Sequence, residues 1–223
     1  MRPTVADLAL RTEDGAQLSA LAWRFEEPVT CVTTASVGGG FTAPAWIVNA
    51  QVRHGYRRTD LADHAREIAS VLNLSGSGVC MLTAVDVSQQ ETLSVDGVTV
   101  TATVGVSDPV WAADLTRVLG DDRPPVPGTI NVVVQLPVAA TPAALVNLVA
   151  TVAEAKCQAL SAGCVPGTGT PSDAVAIVCP ADGGEPELFG GPRSVLGERA
   201  ARAAYLAITA GLRRGREGSA PPC

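Results

Sequence analysis

The sequence predicts an α/β protein of the α+β type, folded as a single layered domain in which helices pack on a mixed β-sheet. Two hairpin signals support this prediction, because Asp14-Gly15 and Asp96-Gly97 each separate runs of alternating apolar and polar residues. Later in the chain, long helical patterns alternate with short β-branched runs. No internal repeat or linker divides the sequence, so we expect one domain over residues 1–215 and a disordered tail over residues 216–223.

The predicted strands and hairpins are β-branched or alternating segments that end at turn residues. They are residues 8–25, 29–35, 46–52, 79–87, 92–106, 129–138 and 174–180. The longest predicted helix begins at Thr141-Pro142, a favourable cap and first-turn pair, and stops at Gly163. The predicted helices are residues 60–72, 112–119, 141–162 and 194–213, and residues 121–128 are a predicted loop.

Composition excludes several classes of function. The chain has 223 residues with a net charge of −6 and no basic patch, which argues against nucleic-acid binding. No uninterrupted apolar run is long enough to span a bilayer and no signal peptide is visible, so we expect no membrane partner and a cytoplasmic location. Irregular cysteine spacing and only two histidines predict no metal site. Four cysteines in apolar runs are expected to be buried free thiols: Cys31, Cys80, Cys157 and Cys179.

Lys156 is the only lysine of the chain. At about 100° per residue it shares one helix face with Leu145, Val149, Val152 and Leu160. A charge on an apolar stripe is costly without a partner, so this amine is a candidate base or a candidate donor to a developing anion. The alternative is an ordinary lysine whose stem packs on the helix surface while its charge reaches water.

The segment of residues 167–173 reads Gly-Thr-Gly-Thr-Pro-Ser-Asp and lies between a predicted helix and a predicted strand. Its glycines leave backbone amides accessible, and hydroxyls from Thr168, Thr170 and Ser172 accompany the carboxylate of Asp173. Such a loop could bind an oxyanion or supply a hydroxyl nucleophile. The alternative is a polar turn that caps the next strand.

Other polar residues are weaker candidates. Asp86 ends an apolar strand, and Asn49 and Asn131 lie inside apolar strands, where a buried amide needs partners. Each of them either contacts substrate or serves the fold. His64 is predicted to be solvated on the polar side of its helix, and His54 is the better histidine candidate.

Six segments, taken in order, resemble a known family. They are residues 36–52, 81–87, 102–112, 127–134, 144–160 and 167–180. Their order and spacing are similar to those of the adenosylcobinamide amidohydrolases of corrinoid salvage over residues 30–212. One departure is Pro171-Ser172, where we expect Ala-Thr in many relatives, and the hydroxyl at position 172 is retained.

The resemblance implies hydrolysis of the aminopropanol amide of adenosylcobinamide to adenosylcobyric acid and 1-aminopropan-2-ol, with a small-molecule corrinoid as substrate and no separate cofactor. We hypothesise that Asp173 or Asp86 activates water or a threonine of the loop, and that Lys156 and the loop amides stabilise the oxyanion or help the amine leave. Asp173→Asn and Lys156→Met are each expected to cut turnover by orders of magnitude and to leave folding intact. The predicted substrate-binding residues are Gly38, Gly39, Asn49, Thr83, Thr103, Thr129, Asn131, Gly169 and Ser172.

Two alternatives stay open. One is an enzyme with a threonine nucleophile freed by self-cleavage at Gly128-Thr129, Gly167-Thr168 or Gly169-Thr170. The other is a corrinoid-binding protein without catalysis. The sequence is compatible with a homo-oligomer and does not identify the oligomeric state.

Overall fold

The structure is a computed structural model that describes residues 2–115 and 128–216. Two hairpins form at the predicted Asp-Gly turns. The first joins β1 (Asp7–Glu13) to β2 (Ala16–Arg24), and the second joins β7 (Glu91–Val95) to β8 (Val98–Val104). Both turn residues of each hairpin have positive φ, as the tight turns favoured by twisted antiparallel strands require.

A four-stranded sheet has the order β1-β2-β5-β6, where β5 is Trp46–Gln51 and β6 is Gly78–Thr83. β5 and β6 are parallel, and the other pairs are antiparallel. A parallel pair needs a crossover connection. Helix α1 (Leu61–Val71) lies in that connection and packs its apolar face on this sheet through Ile68 and Leu72.

A six-stranded sheet has the order β4-β3-β10-β9-β8-β7. Its remaining strands are β3 (Val29–Thr33), β4 (Gly40–Thr42), β9 (Ile130–Gln135) and β10 (Ala174–Pro180). β9 and β10 are parallel and central, and α2 (Pro142–Ala162) connects them. α2 and α3 (Val195–Arg216) pack side by side on the outer face of this sheet.

The layers therefore follow the order α1, four-stranded sheet, six-stranded sheet, and then α2 with α3. Apolar side chains from both sheets form the inner core, including Trp23, Ile47, Met81, Val133 and Val178. These strands bury both faces, because a helix covers the side that does not meet the other sheet. Such burial explains their continuous apolar sequences.

The predicted α+β class and layered architecture are confirmed, but the predicted single sheet is two sheets. The strand predicted over residues 79–87 ends at Thr83, because Asp86 caps a short 3₁₀-helix, Val87–Gln89. The short strand β4 lies between two predicted strands, in a segment for which no element was predicted. Residues 112–115 of the predicted short helix form turns, and the rest of that helix, the loop 121–127 and the tail 217–223 lie outside the described residues.

By length and mean hydropathy α2 could cross a membrane, although no apolar run of that kind was predicted from the sequence. In the structure it lies against the six-stranded sheet and α3. Leu145, Leu148, Val152 and Leu160 of α2 are fully buried there. These contacts are those of a core helix.

Candidate functional site

A cavity of about 360 Å³ opens between the two sheets. The carboxyl ends of β5 and β6 border it on one side, and the starts of β9 and β10 border it on the other. Its volume lies at the lower end of the range for small-molecule sites. The polar residues that line it are Ser36, Arg53, Tyr56, Thr83, Thr129, Asn131 and Ser172.

Two hydroxyl groups of the cavity are hydrogen-bonded to each other. Thr129 Oγ1 lies 2.8 Å from Ser172 Oγ, although the two residues are 43 positions apart. Thr129 comes directly before β9 and is 4% exposed, whereas Ser172 belongs to the exposed loop before β10. Because β9 and β10 are parallel neighbours, their starts meet at one edge of the sheet and bring the hydroxyls together.

A chain of three buried polar side chains connects the two sheets beside the cavity. Asn131 Nδ2 on β9 donates to Asn49 Oδ1 on β5 at 2.8 Å. Asn49 Nδ2 donates to Thr103 Oγ1 on β8 at 2.9 Å. Asn131 Oδ1 has no hydrogen-bond partner in the described part of the chain. Since an unsatisfied buried oxygen is costly, this atom is suited to accept an N–H or O–H of a ligand in the cavity.

The carboxylate of Asp173 holds the start of β9 in place. Its Oδ1 accepts from the Ile130 amide at 2.8 Å and from Thr170 Oγ1 at 2.5 Å. Its Oδ2 accepts from Lys156 Nζ at 2.5 Å and from the Thr170 amide at 3.1 Å. The side chains of Lys156 and Asp173 are only 14% and 11% exposed. Four accepted hydrogen bonds fill this carboxylate, which favours a positioning role over that of a base that must take a further proton.

Residues 167–170 form the glycine-threonine loop, which packs against this ion pair and does not line the cavity. A Cβ on Gly169 would lie 2.5 Å from both Lys156 Nζ and Asp173 Oδ2, so only glycine allows this approach. Thr168 is held on the other side, where its amide donates to Val110 O at 2.8 Å and its Oγ1 accepts from the Ala112 amide at 2.9 Å. The loop therefore supports the ion pair.

The remaining predicted residues lie outside the cavity. Asp86 accepts from the Ser88 amide at 3.0 Å as a helix cap, and it does not line the cavity. Gly38 and Gly39 approach backbone atoms of other segments, since a Cβ there would lie 2.4 Å from Gly78 O and 2.3 Å from Ala35 O, respectively. Of the predicted site residues, the cavity brings together four: Thr83, Thr129, Asn131 and Ser172.

The prediction for His64 was wrong, because His64 is 1% exposed. It faces the four-stranded sheet from the first turns of α1, and its ring stacks on Tyr56 with 5.3 Å between the ring centroids. His54, the favoured candidate, is exposed. Sequence reasoning missed Tyr56 and Arg53, which line the cavity from the loop after β5. A local signal for them was Gly55, a glycine in the loop between β5 and α1.

The free cysteines and the acidic side chains were considered as further nucleophiles or metal ligands. Cys31, Cys80 and Cys179 are buried free thiols as predicted, whereas Cys157 is free but half-buried. Burial raises the pKa of both Cys31 and Cys80 to about 12, which makes them poor nucleophiles. Within residues 2–115 and 128–216, no group of three or more His, Cys, Asp or Glu side chains could hold a metal ion.

Structural comparison finds similar solved folds at low sequence identity. A Burkholderia sp. beta-aminopeptidase is 15% identical, with a TM-score of 0.45 over 93% of this chain and 82% of the other. The PH0078 protein from Pyrococcus horikoshii OT3 is 12% identical, with a TM-score of 0.46 over 93% of this chain and 83% of the other.

Comparison of sequences gives a clearer result. No curated protein matches the chain. Residues 4–220, nearly the whole chain, match the family model described as adenosylcobinamide amidohydrolase. The match covers the cavity, the ion pair and the glycine-threonine loop together. The chain belongs to the adenosylcobinamide amidohydrolase family.

Proposed function

We propose that this protein hydrolyses the aminopropanol amide of adenosylcobinamide, releasing adenosylcobyric acid and 1-aminopropan-2-ol. Membership of the family supports the reaction class. The observation that carries the proposal is the cavity in which the Thr129–Ser172 hydroxyl pair lies beside the Asn131 oxygen, to which no described residue donates a hydrogen bond. These groups are of the kinds that amide hydrolysis needs: an attacking oxygen and an acceptor for the amide N–H.

The size of the cavity suggests how a corrinoid binds. About 360 Å³ suits a short amide arm and is too small for a corrin ring with its adenosyl group. We infer that the aminopropanol arm enters between the sheets and that the ring stays outside the entrance. Corrinoids carry several amide arms. Selection of one arm would therefore depend on which chemical group at the end of the arm fits the inner end of the cavity.

Thr129 is the stronger candidate for the attacking group. Its oxygen is held at the rigid start of β9, where Asp173 fixes the next amide, whereas Ser172 lies in an exposed loop. In this mechanism the Thr129 hydroxyl attacks the amide carbon, the C–N bond breaks to release the amine, and water then hydrolyses the resulting ester. Ser172 orients the threonine hydroxyl through its hydrogen bond.

The ion pair of Lys156 with Asp173 supports this step from outside the cavity. Its carboxylate binds both the Ile130 amide and the loop of Thr170, and so sets the position of Thr129. The hypothesis of Asp173 as a base and of Lys156 as an oxyanion donor is thereby replaced by a proposed positioning role for the pair.

Product analysis tests the reaction directly. Purified protein is incubated with adenosylcobinamide, with and without a chelator, and adenosylcobyric acid and aminopropanol are measured by liquid chromatography with mass detection. We expect equal release in both, since no metal is proposed in the mechanism. Binding without product would favour the alternative of a non-catalytic corrinoid-binding protein.

Variants then identify the attacking group. Thr129→Ala should lower kcat by at least about 100-fold, Thr129→Ser should retain much of it, and Ser172→Ala should have an intermediate effect. The exposed Ser88, which lies outside the cavity, provides the matched control Ser88→Ala. A Thr129→Ala protein with wild-type kcat would exclude Thr129 and leave attack by Ser172 or by water.

The position of the cavity selects one of the three possible self-cleavage bonds. Of the three Gly-Thr bonds, Gly128-Thr129 borders the cavity, whereas Gly167-Thr168 and Gly169-Thr170 do not. Self-cleavage there would give Thr129 a free α-amine beside its hydroxyl. The intact mass of the purified protein distinguishes a cleaved from an uncleaved chain. Two fragments would indicate self-cleavage, and one full-length mass would exclude it.

A further inference from the structure

A second polar network reaches the cavity from the side of the four-stranded sheet. Tyr56, which lines the cavity, has its hydroxyl 2.7 Å from His64 Nδ1. His64 Nε2 lies 3.1 Å from Glu13 Oε2. Arg11 donates to the same carboxylate and to Gln51 O, the last residue of β5. The series Tyr56–His64–Glu13–Arg11 thus runs from the cavity to β1, and we refer to it as the tyrosine relay.

Local structure explains how the relay is assembled. Gly55 has a φ of 81°, and the Tyr56 amide donates to Arg53 O at 3.1 Å, which closes a tight turn after β5. This turn places Tyr56 in front of the first turn of α1, from which His64 faces the sheet. Glu13 comes from the end of β1, and Arg11 is two residues earlier on the same face of that strand.

The Glu13 carboxylate sets the direction of the hydrogen bonds when His64 is neutral. The side chains of Arg11 and His64 are 3% and 1% exposed. Burial opposes ionisation of Glu13, but hydrogen bonds from Arg11 and His64 outweigh it and hold the pKa of Glu13 below its usual 4.5. An ionised carboxylate only accepts, so Nε2 of a neutral His64 must carry the hydrogen. Nδ1 is then an acceptor, and the Tyr56 hydroxyl donates to it.

The surroundings keep the phenol protonated at rest. Burial is the largest influence and raises the pKa of Tyr56 to about 12, with Arg58 acting in the opposite direction. Asp60 and Glu13 raise the pKa further, and the buried Cys80 thiol of β6 adds to this effect. A protonated phenol that donates to an imidazole can pass its proton to the ring while it takes another from a group in the cavity.

We propose that the tyrosine relay is the acid–base group of the amide hydrolysis, with Tyr56 as the catalytic residue and His64 and Glu13 as positioning residues. This inference rests on the proposed function. A network that served only the fold would not need a member that lines the cavity. An apolar side chain at position 64 could fill the same buried space without needing any hydrogen-bond partner. The relay instead ends on the surface that faces the proposed substrate.

The proton steps balance over one acylation. As the Thr129 oxygen bonds to the amide carbon, its proton passes to the Tyr56 oxygen and the phenol proton passes to His64 Nδ1. The imidazolium faces the Glu13 carboxylate, which stabilises it. When the C–N bond breaks, Tyr56 gives a proton to the departing nitrogen and regains one from His64. Neutral aminopropanol leaves, and the relay returns to its starting state.

Kinetics of three variants test the relay on adenosylcobinamide. Tyr56→Phe keeps the ring and removes the hydroxyl, so we expect kcat to fall at least about 100-fold with little change in KM. Glu13→Gln should lower kcat at least about tenfold, because the imidazolium loses its counter-charge. His54→Gln alters the exposed histidine and should behave like the wild type. A positioned acid–base group contributes at least about 100-fold to the rate. A Tyr56→Phe enzyme with kcat within about twofold of the wild type would therefore overturn the proposal.

Nitrogen NMR of the histidine rings gives a test that does not depend on the substrate. The chain has two histidines, and His54→Gln assigns their signals. We expect His64 as the neutral Nε2–H tautomer, with an Nδ1 signal that moves in Tyr56→Phe. The opposite tautomer would overturn the relay. If the wild type released no aminopropanol while His64 behaved as expected, the proposed substrate would fail and the relay would stand.

Discussion

Replacing Asp173 by Asn should reveal how strongly the buried ion pair holds the start of β9. The change keeps the size of the side chain but puts an NH₂ group where one carboxylate oxygen stood. At the Oδ2 position that group would face Lys156 Nζ and the Thr170 amide, and at the Oδ1 position it would face the Ile130 amide, so in either orientation it meets a donor. The Lys156 ammonium, 14% exposed, would lose its counter-charge. We therefore expect a loss of both stability and turnover, whereas the sequence alone predicted a loss of turnover only.

The magnitude follows from burial. Removing one partner of a buried ion pair costs about 3–5 kcal/mol, and the partial exposure here places the expected loss near the lower end. For a chain of this length a loss of about 3 kcal/mol corresponds to a decrease in Tm of about 6–12 °C. Lys156→Met should cost less, about 1–3 kcal/mol, because Asp173 keeps its two amide donors and the Thr170 hydroxyl.

A double-mutant cycle separates the ion pair from other effects. Urea unfolding of both single variants and of Asp173→Asn/Lys156→Met should show that the double variant loses less than the sum of the singles. Arg202→Met breaks the exposed Arg202–Glu198 pair and is the matched control, with a change too small to resolve. Additive losses, or an Asp173→Asn protein as stable as the wild type, would refute a coupled, buried pair.

Three further predictions concern the framework of the site. Gly38→Ala should lower the urea midpoint far more than Gly40→Ala, because both glycines have positive φ but only Gly38 would place a Cβ against backbone, 2.4 Å from a carbonyl oxygen. Asn49→Leu should destabilise the protein by at least about 2 kcal/mol in urea unfolding, since it leaves the Asn131 amide and the Thr103 hydroxyl unpaired. The pKa of Glu13 is lowered in the folded state, so its contribution to stability is present above its ordinary pKa of 4.5 and is lost as pH falls through the folded pKa. Glu13→Gln should accordingly flatten the acid side of the curve of unfolding free energy against pH.

Local chemistry made much of the fold predictable. Asp14-Gly15 and Asp96-Gly97 adopt the left-handed backbone that two-residue hairpins need. Thr141 caps α2 by accepting from the Ala144 amide at 3.2 Å, and Pro142 starts the helix as predicted. Each of these signals depends only on residues within one turn, so no tertiary information was needed to read it.

The division into two sheets could not be read in the same way. A strand buried on both faces has the same continuous apolar sequence whether the layer above it is a helix or a second sheet. Ile47 and Val48 illustrate this, because neighbouring residues of β5 belong to the inner core and to the core under α1. The error of predicting one sheet follows from this equivalence.

Site residues were predicted unevenly for a related reason. Thr129 was named from the family resemblance and Ser172 as a hydroxyl of the loop before β10, and the parallel pairing of β9 with β10 brings them together. The relay gave no such signal, because Glu13 and His64 are 51 positions apart and meet only through the packing of α1 on β1 and β2. A histidine at a helix start looks solvated until the opposite surface is known.

The two polar networks explain why the cavity lies between the sheets. Asn49 ties β5 to β8 and β9, so the two sheets cannot slide past each other without breaking buried hydrogen bonds. Arg11 holds the end of β5 through Gln51 O, and Asp173 holds the start of β9 through the Ile130 amide. Each border of the cavity is therefore fixed by a charged group that lies outside it. The hydroxyls of Thr129 and Tyr56 are therefore not needed to hold these strand ends, and they form their hydrogen bonds with Ser172 and His64, the partners that the proposed mechanism uses.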